Sequence, residues 1–444
     1  MLLGMRSGAF GALCRAAVAL AVVVFVHGAH AGAEDAEAIG PPLQALIDAA
    51  SPGETVVVPA GVHYGGVTVD KPLELRGEPG AIIDAQGVGD VVRVSSPDVT
   101  LRNLTLRNSG YNLTEMNAGV HGEKGADRLH VEDCVMENVA FGIWLWFLEG
   151  PRAVNNRIHG NADVRSPDRG DGLRLYAVHH GRFEGNDIRV VRDGVYVDTS
   201  SNIEFLNNHF EDLRYGIHYM YSHDGRVVGN TSTGTRSGFA LMMSNRLEIV
   251  GNRSTADLNY GILLNFVNSS VIADNEVSGV RGWAGGSGTE HGIALGGEGK
   301  ALFVYNSVNN EIRGNVFADS EMGIHLTAGS ENNAIHDNAF VRNKYQVKYV
   351  GRSGQDWSHE GRGNYWSDYL GWDLDGDGIG QVPYQPTDGI DRLLWMYPMA
   401  EVLLNSPAVL VLRWVQRAFP VLRPPGVHDS HPLMAPPRGL EVSL

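Results

Sequence analysis

At 444 residues, 43% apolar and 19% charged, the chain can bury a large core and is too apolar to be disordered along its length. Its net charge of −16 argues against nucleic acid as a partner and favours cations or basic protein surfaces. Of its two cysteines, Cys14 lies in a presequence, so Cys134 alone can form neither an internal disulfide nor a cysteine zinc site.

Residues 1–33 read as a secretory signal peptide. Arg6 and Arg15 supply basic charge, residues 16–26 are an apolar run, and Ala29/Ala31 or Ala31/Ala33 offer small residues for cleavage. The run is too short for a stable bilayer span, so the mature chain is expected to be exported and soluble. Residues 43–50 read as a short helix capping the first coil, and coils begin near residues 55–59.

The middle of the chain, within 34–350, repeats. Blocks open at Gly119, Gly142, Gly172, Gly194, Gly216, Gly238, Gly261, Gly292 and Gly323, and from Gly172 to Gly261 the spacings are 22, 22, 22 and 23. Asn156, Asn186, Asn208, Asn230, Asn252, Asn275, Asn315 and Asn338 keep the same beat. A period of about 22 with short alternating strands and asparagine turns predicts an all-β fold, a right-handed parallel β-helix, with each asparagine bonding along the stack. Insertions are expected at 161–171, 281–290 and 296–306, and regular coils end near Lys344.

Alternation predicts that residues one and three after each block glycine face the core, while those two and four after it face out. Stacked in order, the outward pairs are His121/Glu123, Trp144/Trp146, Arg174/Tyr176, Tyr196/Asp198, His218/Met220, Ala240/Met242 and Leu263/Asn265. So many aromatic and sulfur side chains on one outer strip suit a binding surface. Three readings stay open: a soft-metal site, a sugar platform, or a strip covered by the same chain. For the first, His218, Met220 and Met242, with His223 and Met243 nearby, supply the imidazole and thioether ligands that suit Cu(I). His179, His180, His209, His325 and His336 read as solvated structural positions.

Residues 351–392 form an aromatic and acidic region. Asp373, Asp375 and Asp377 followed by Gly378 give the D-x-D-x-D-G start of a calcium loop, but Tyr384 stands where an EF-hand places its glutamate. The expectation is either a looser calcium site, completed by Asp388 or Asp391, or a structural turn. Residues 393–444 read as an amphipathic tail of two helical halves interrupted at Pro407, with an extended end bearing His428, His431 and Met434 as a weaker soft-metal candidate.

Several strings add a resemblance: D-G-V-Y-V-D-T-S-S at 193–201, R-Y-G-I-H-Y-M-Y-S at 214–222 and Y-G-I-L-L at 260–264. Others are G-N-Y-W-S-D-Y at 363–369 with the acidic loop, N-S-P at 405–407, F-P-V-L-R-P-P at 419–425 and D-S-H-P-L-M at 429–434. With these the chain resembles the periplasmic copper-binding NosD family. The resemblance implies a non-enzymatic component of an ABC-type complex with a membrane permease and a cytoplasmic ATPase. It implies that copper comes from a chaperone lipoprotein and passes to apo nitrous oxide reductase for its copper–sulfur cluster. The sequence carries no Walker motif, which fits energy supplied by a partner. The alternative is a carbohydrate-active β-helix enzyme, a polysaccharide lyase or epimerase, with Arg174, Asp198 and His218 in the catalytic parts.

Overall fold

A computed structural model describes residues 40, 42–282, 299–327, 329–351, 353–387, 391, 406–418 and 426–437. The signal peptide, Gly292, Asp388 and the tail outside 406–418 and 426–437 lie outside the described residues.

Among the described residues the chain winds as a right-handed parallel β-helix, the hand that parallel crossovers take. Three sheets of 12, 13 and 12 strands run its length, and each strand pairs with the third strand before and after it in sequence. The opening helix, Leu43–Ala49, turns Leu43 and Ile47 onto the first coils. The Gln44 amide holds the backbone of Thr68 through two hydrogen bonds (2.8 and 3.1 Å), which covers the first open rung.

Alternation sets the core as expected. Ile143, Leu145, Val195, Val197, Ile217, Tyr219, Phe239 and Leu241 are buried, and rings stack between coils, Phe183 on Phe205 at 5.4 Å. Block glycines mark where successive coils come closest: a Cβ on Gly194 would stand 2.5 Å from the carbonyl oxygen of Gly216.

The asparagine column is continuous from Asn156 to Asn364. From Asn186 onward each Oδ1 accepts both the backbone N–H and the side-chain amide of the asparagine one coil earlier, at 2.8–3.1 Å. Each described Nδ2 also donates to a backbone carbonyl, as Asn230 does to Phe205. The turns are therefore buried with their polar groups satisfied, which sheet pairing alone would not achieve.

Two expectations are corrected. Ile262 pairs with Leu302, so Ala301 takes the block position and the next strand is Lys300–Tyr305. Residues 300–305, expected in an insertion, are therefore core strand. Coils also run past Lys344, through Tyr345–Val350 and then Tyr365–Trp366, which pairs with Ala339 and Phe340. Pro407 opens a helix, Pro407–Ala418, with Ser406 before it, as proline's fixed φ allows at a first helical position.

The end of the tail is extended, as expected, and pairs with the solenoid. Val427–His428 pairs with Gln355–Asp356, Leu433 bridges to Tyr365 and Ile379, and Val427 and Leu433 are buried. Asp429, fully buried, accepts from the backbone N–H of Asn364 (2.7 Å) and Nε1 of Trp366 (2.8 Å). A residue far along the chain thus finishes the asparagine column, and burial pushes its carboxyl above the ordinary range against these bonds. Trp366 stacks on Phe340 (4.4 Å) and meets Tyr384 (5.0 Å), which closes the solenoid with aromatic rings.

Asp257 is a second buried carboxylate. It accepts from the backbone N–H and Oγ1 of Thr235 (both 2.8 Å), Ser254 Oγ (2.6 Å) and Ser232 Oγ (3.2 Å). Burial outweighs these bonds and raises its pKa from 3.8 to about 6. The folded chain then holds a proton that the unfolded chain releases, so this group favours folding most below pH ~4 and loses that contribution as pH rises through ~6. The difference in unfolding free energy between wild type and Asp257→Asn is expected to change by roughly 2 kcal/mol between pH 4 and pH 7. Chemical denaturation at both pH values checks it, and a pH-independent difference would contradict it.

Candidate functional site

The outer strip lies on the sheet made of the third strand of each coil, and its register is continuous. Trp144 pairs with Arg174, Arg174 with Tyr196, Tyr196 with His218, His218 with Ala240 and Ala240 with Leu263. Beside this column, Trp146, Tyr176, Asp198, Met220, Met242 and Asn265 pair in turn. The strip continues beyond Leu263 through Phe303, His325 and Lys348. Neighbours in a column stand about 4.8 Å apart.

A third column joins it, which alternation did not foresee. The residue before each block glycine also reaches this face, because the backbone steps out of strict alternation at the glycine. Asp171, Asp193 and Tyr215 therefore line the strip next to Arg174, Tyr196 and His218. The interval of 22 plus three between Asp193 and His218 was the available signal in the sequence.

His218 is fixed on three sides. Its Nδ1 lies 3.2 Å from Oδ2 of Asp193, and its ring packs against Tyr196 (4.7 Å) and Tyr215 (4.8 Å). Burial alone would raise the pKa of Asp193, but bonds from Arg214 (2.8 and 2.7 Å) and His218 hold it below the ordinary carboxylate value. The charged carboxylate keeps the proton of a neutral His218 on Nδ1, leaving Nε2 as the nitrogen able to ligate. The Arg214 guanidinium is raised in turn by the bonds to Asp193, despite its burial.

Met220, two residues beyond His218, and its register partner Met242 in the next coil are half-buried on the same face. Their unbranched thioethers can swing toward one bound ion. The structure therefore brings His218, Met220 and Met242 together. Met243 and His223 stand round the corner: Met243 is at φ 51° in an exposed turn row with Tyr221 and Phe266. His223 lies beyond buried Ser222, and its Nδ1 accepts from the backbone N–H of Asn245 (3.2 Å).

The groups that would serve sugar chemistry are committed elsewhere. Arg174 donates to buried Asp171 (2.8 Å) and lies over the rings of Tyr196 (4.3 Å) and Trp144 (5.7 Å). Asp198 accepts from the Thr199 hydroxyl (2.8 Å).

Among the described residues, Asp373, Asp375 and Asp377 can each offer an oxygen within 4.8 Å of the others. The N–H groups of Gly378 (2.9 Å) and Gly376 (2.6 Å) hold the Asp373 carboxyl below its usual value, and Ile379 N–H binds Asp377 (2.8 Å). His428 lies 3.7 Å from Asp356, and His431 bonds Ser358 (3.3 Å), so these tail histidines face separate partners. His325 and His336 are not solvated. His336 is 8% exposed, and burial with Lys300 and Lys348 nearby lowers the pKa of His325 to about 3.

The tail helix Pro407–Ala418 exposes Leu410, Val411, Leu412 and Trp414, the last at 66%. No helix among the described residues is long and apolar enough to cross a membrane.

Comparison with known proteins agrees with this architecture. A family model described as periplasmic copper-binding protein (NosD) matches residues 154–371, and one described as a right handed beta helix region matches residues 82–212. A Pseudomonas aeruginosa protein named probable ABC transporter binding protein NosD is 51% identical over 85% of this chain and 87% of its own length. A protein of the same name from Stutzerimonas stutzeri is 49% identical over 86% of each. Among solved structures, the alginate lyase AlyF-OU02 with G6 aligns with a TM-score of 0.52 at 14% identity, covering 73% of this chain and 82% of that one. At that identity the likeness concerns the fold alone.

Proposed function

Because this chain belongs to the NosD family of periplasmic copper-binding proteins, we propose that it carries copper as cargo on the outer strip of its β-helix. The cargo is Cu(I), received from a copper-chaperone lipoprotein and passed to apo nitrous oxide reductase for assembly of its copper–sulfur cluster. One observation supports this most: His218, its Nδ1 tied to buried Asp193, shares a face with the register partners Met220 and Met242. One imidazole nitrogen and two thioethers make a soft set that holds Cu(I) while leaving a coordination position open for exchange. Transfer is then ligand exchange at constant oxidation state, and the chain acts as an accessory protein rather than an enzyme.

The test is maturation itself. Copper-loaded chain mixed with apo reductase is expected to generate the absorption of the copper–sulfur cluster. The variant His218→Ala/Met220→Ala/Met242→Ala should yield at most about a tenth of it. Maturation at the wild-type rate by that variant would overturn the assignment.

Anchoring is assigned to the tail. We place the exposed face of Pro407–Ala418 on the periplasmic side of the ABC-type permease, whose cytoplasmic ATPase supplies the energy. Leu410→Glu/Trp414→Glu changes exposed side chains, so thermal stability should stay within about 0.5 kcal/mol of wild type. Co-purification with the permease is expected to be lost. Undiminished co-purification would place the dock elsewhere. The acidic loop is proposed to hold calcium through Asp373, Asp375 and Asp377, oxygen donors of the kind that ion takes.

A further inference from the structure

A second group of side chains lies near the tail end of the solenoid, away from the strip. His336 closes the strand Ala334–His336 and pairs in register with Arg313. Its ring stands 5.0 Å from that of His359, tilted by 33°. His359 is held by a two-residue turn: its N–H donates to the Arg362 carbonyl (2.8 Å), and Arg362 N–H returns the bond (3.0 Å). Glu360 and Gly361 take left-handed φ of 49° and 78° between them.

The buried histidine is oriented from behind. Nδ1 of His336 lies 3.0 Å from Oδ2 of Asp337, whose Oδ1 accepts two bonds from the Arg362 guanidinium (2.9 and 2.8 Å). A carboxylate so engaged fixes the proton of a neutral imidazole on Nδ1. Nε2 is then a bare acceptor. It is buried with no hydrogen-bond partner, and the group facing it is another acceptor, Oε1 of Glu311, at 3.7 Å. Two acceptors facing each other without a proton between them repel, and a cation bound by both removes that cost.

We propose that His336 Nε2, His359 and Glu311 form a site for a divalent cation of the zinc class. Two imidazoles and a carboxylate are a common zinc ligand set, and the carboxylate behind His336 is the usual outer partner of a zinc-bound histidine. Glu311 also accepts from Arg313 Nε (3.0 Å), and Glu360 lies 4.0 Å from His359 Nε2. The formal charge of Glu311, Asp337, Glu360, Arg313 and Arg362 together is negative, which suits a cation. The side chains of His359 and Glu311 are 53% and 43% exposed, so they can rotate to meet the ion while His336 stays fixed. The ion would join strand Ala334–His336 to turn 359–362, which leads directly into Asn364, the last member of the asparagine column. The site therefore staples the closed end of the solenoid.

The experiment is a calorimetric zinc titration of the purified full chain, with millimolar calcium present to occupy the acidic loop. One zinc ion should bind with micromolar or tighter affinity and raise the thermal midpoint. His359→Ala, at an exposed position, should weaken uptake by at least about tenfold and abolish the midpoint shift. Glu311→Gln should weaken it less, by a few-fold, with the fold intact by circular dichroism. Absence of zinc uptake, or uptake and midpoint shift unchanged in His359→Ala, would overturn the proposal.

Discussion

Asn230→Ala should destabilise the chain by about 3–5 kcal/mol, more than a comparable change at any exposed residue. Asn230 Oδ1 accepts from both the backbone and the side-chain amide of Asn208 (3.0 and 2.9 Å), and its Nδ2 donates to the Phe205 carbonyl (2.8 Å). Alanine leaves the buried Asn208 N–H without a partner, at about 1–3 kcal/mol. It takes one bond each from the Phe205 carbonyl and from the Asn208 side-chain amide, which keeps Phe183, at about 1 kcal/mol each. Asn252 Oδ1 still receives the backbone N–H of residue 230, so the damage runs toward the N-terminal coils. Because each coil of a solenoid touches only its neighbours, a break in a central coil should uncouple the halves and broaden the unfolding transition. Urea denaturation beside the exposed Glu248→Ala, expected within about 0.5 kcal/mol of wild type, checks the claim. A loss below about 1 kcal/mol for Asn230→Ala would mean that the column is incidental to stability.

Much of this was legible in the sequence because a solenoid writes its geometry into its period. The beat of 22 residues, the asparagine column and the inward and outward positions of the strip all follow from repetition and strand alternation. The failures have physical causes. Gly292-Ile-Ala resembles a block opening, but local similarity carries no register, and the coil there has Ala301 in the glycine's place. His336 looked solvated because turn 359–362, which covers it, comes from a later part of the chain. Asp429 could not be foreseen as the end of the asparagine column, since it reaches Asn364 from 65 residues away. At the strip, His218, Met220 and Met242 were readable from alternation. Asp193 was missed because its side chain reaches the outer face through the step at Gly194.

That missed carboxylate sharpens the second large effect. If His218 binds Cu(I) through Nε2, Asp193 acts as a positioning residue that fixes the ring and its tautomer without touching the ion. Asp193→Asn keeps the shape but removes the charge, and is expected to weaken Cu(I) binding by about tenfold. It also leaves the Arg214 guanidinium, 18% exposed, without its buried counter-charge, so some loss of stability should accompany it. His218→Ala/Met220→Ala/Met242→Ala removes the proposed ligands themselves and should weaken binding by at least about a hundredfold, since no soft donor set remains on that face. The His218 side chain is only 11% exposed and Met242 packs against buried Ala240 and Leu263, so the fold of the triple variant is checked beside its affinity. Met243→Ala and His223→Ala, round the corner from the strip, should each change affinity by less than about threefold.

The most direct measurement is a Cu(I) competition titration against a chromogenic chelator, run on the wild-type chain and on the His218→Ala/Met220→Ala/Met242→Ala variant with folding checked by circular dichroism. The account predicts tight one-to-one binding by the wild type and its loss in the folded variant. Wild-type affinity retained by the variant, or no binding by either, would contradict a copper site on the strip.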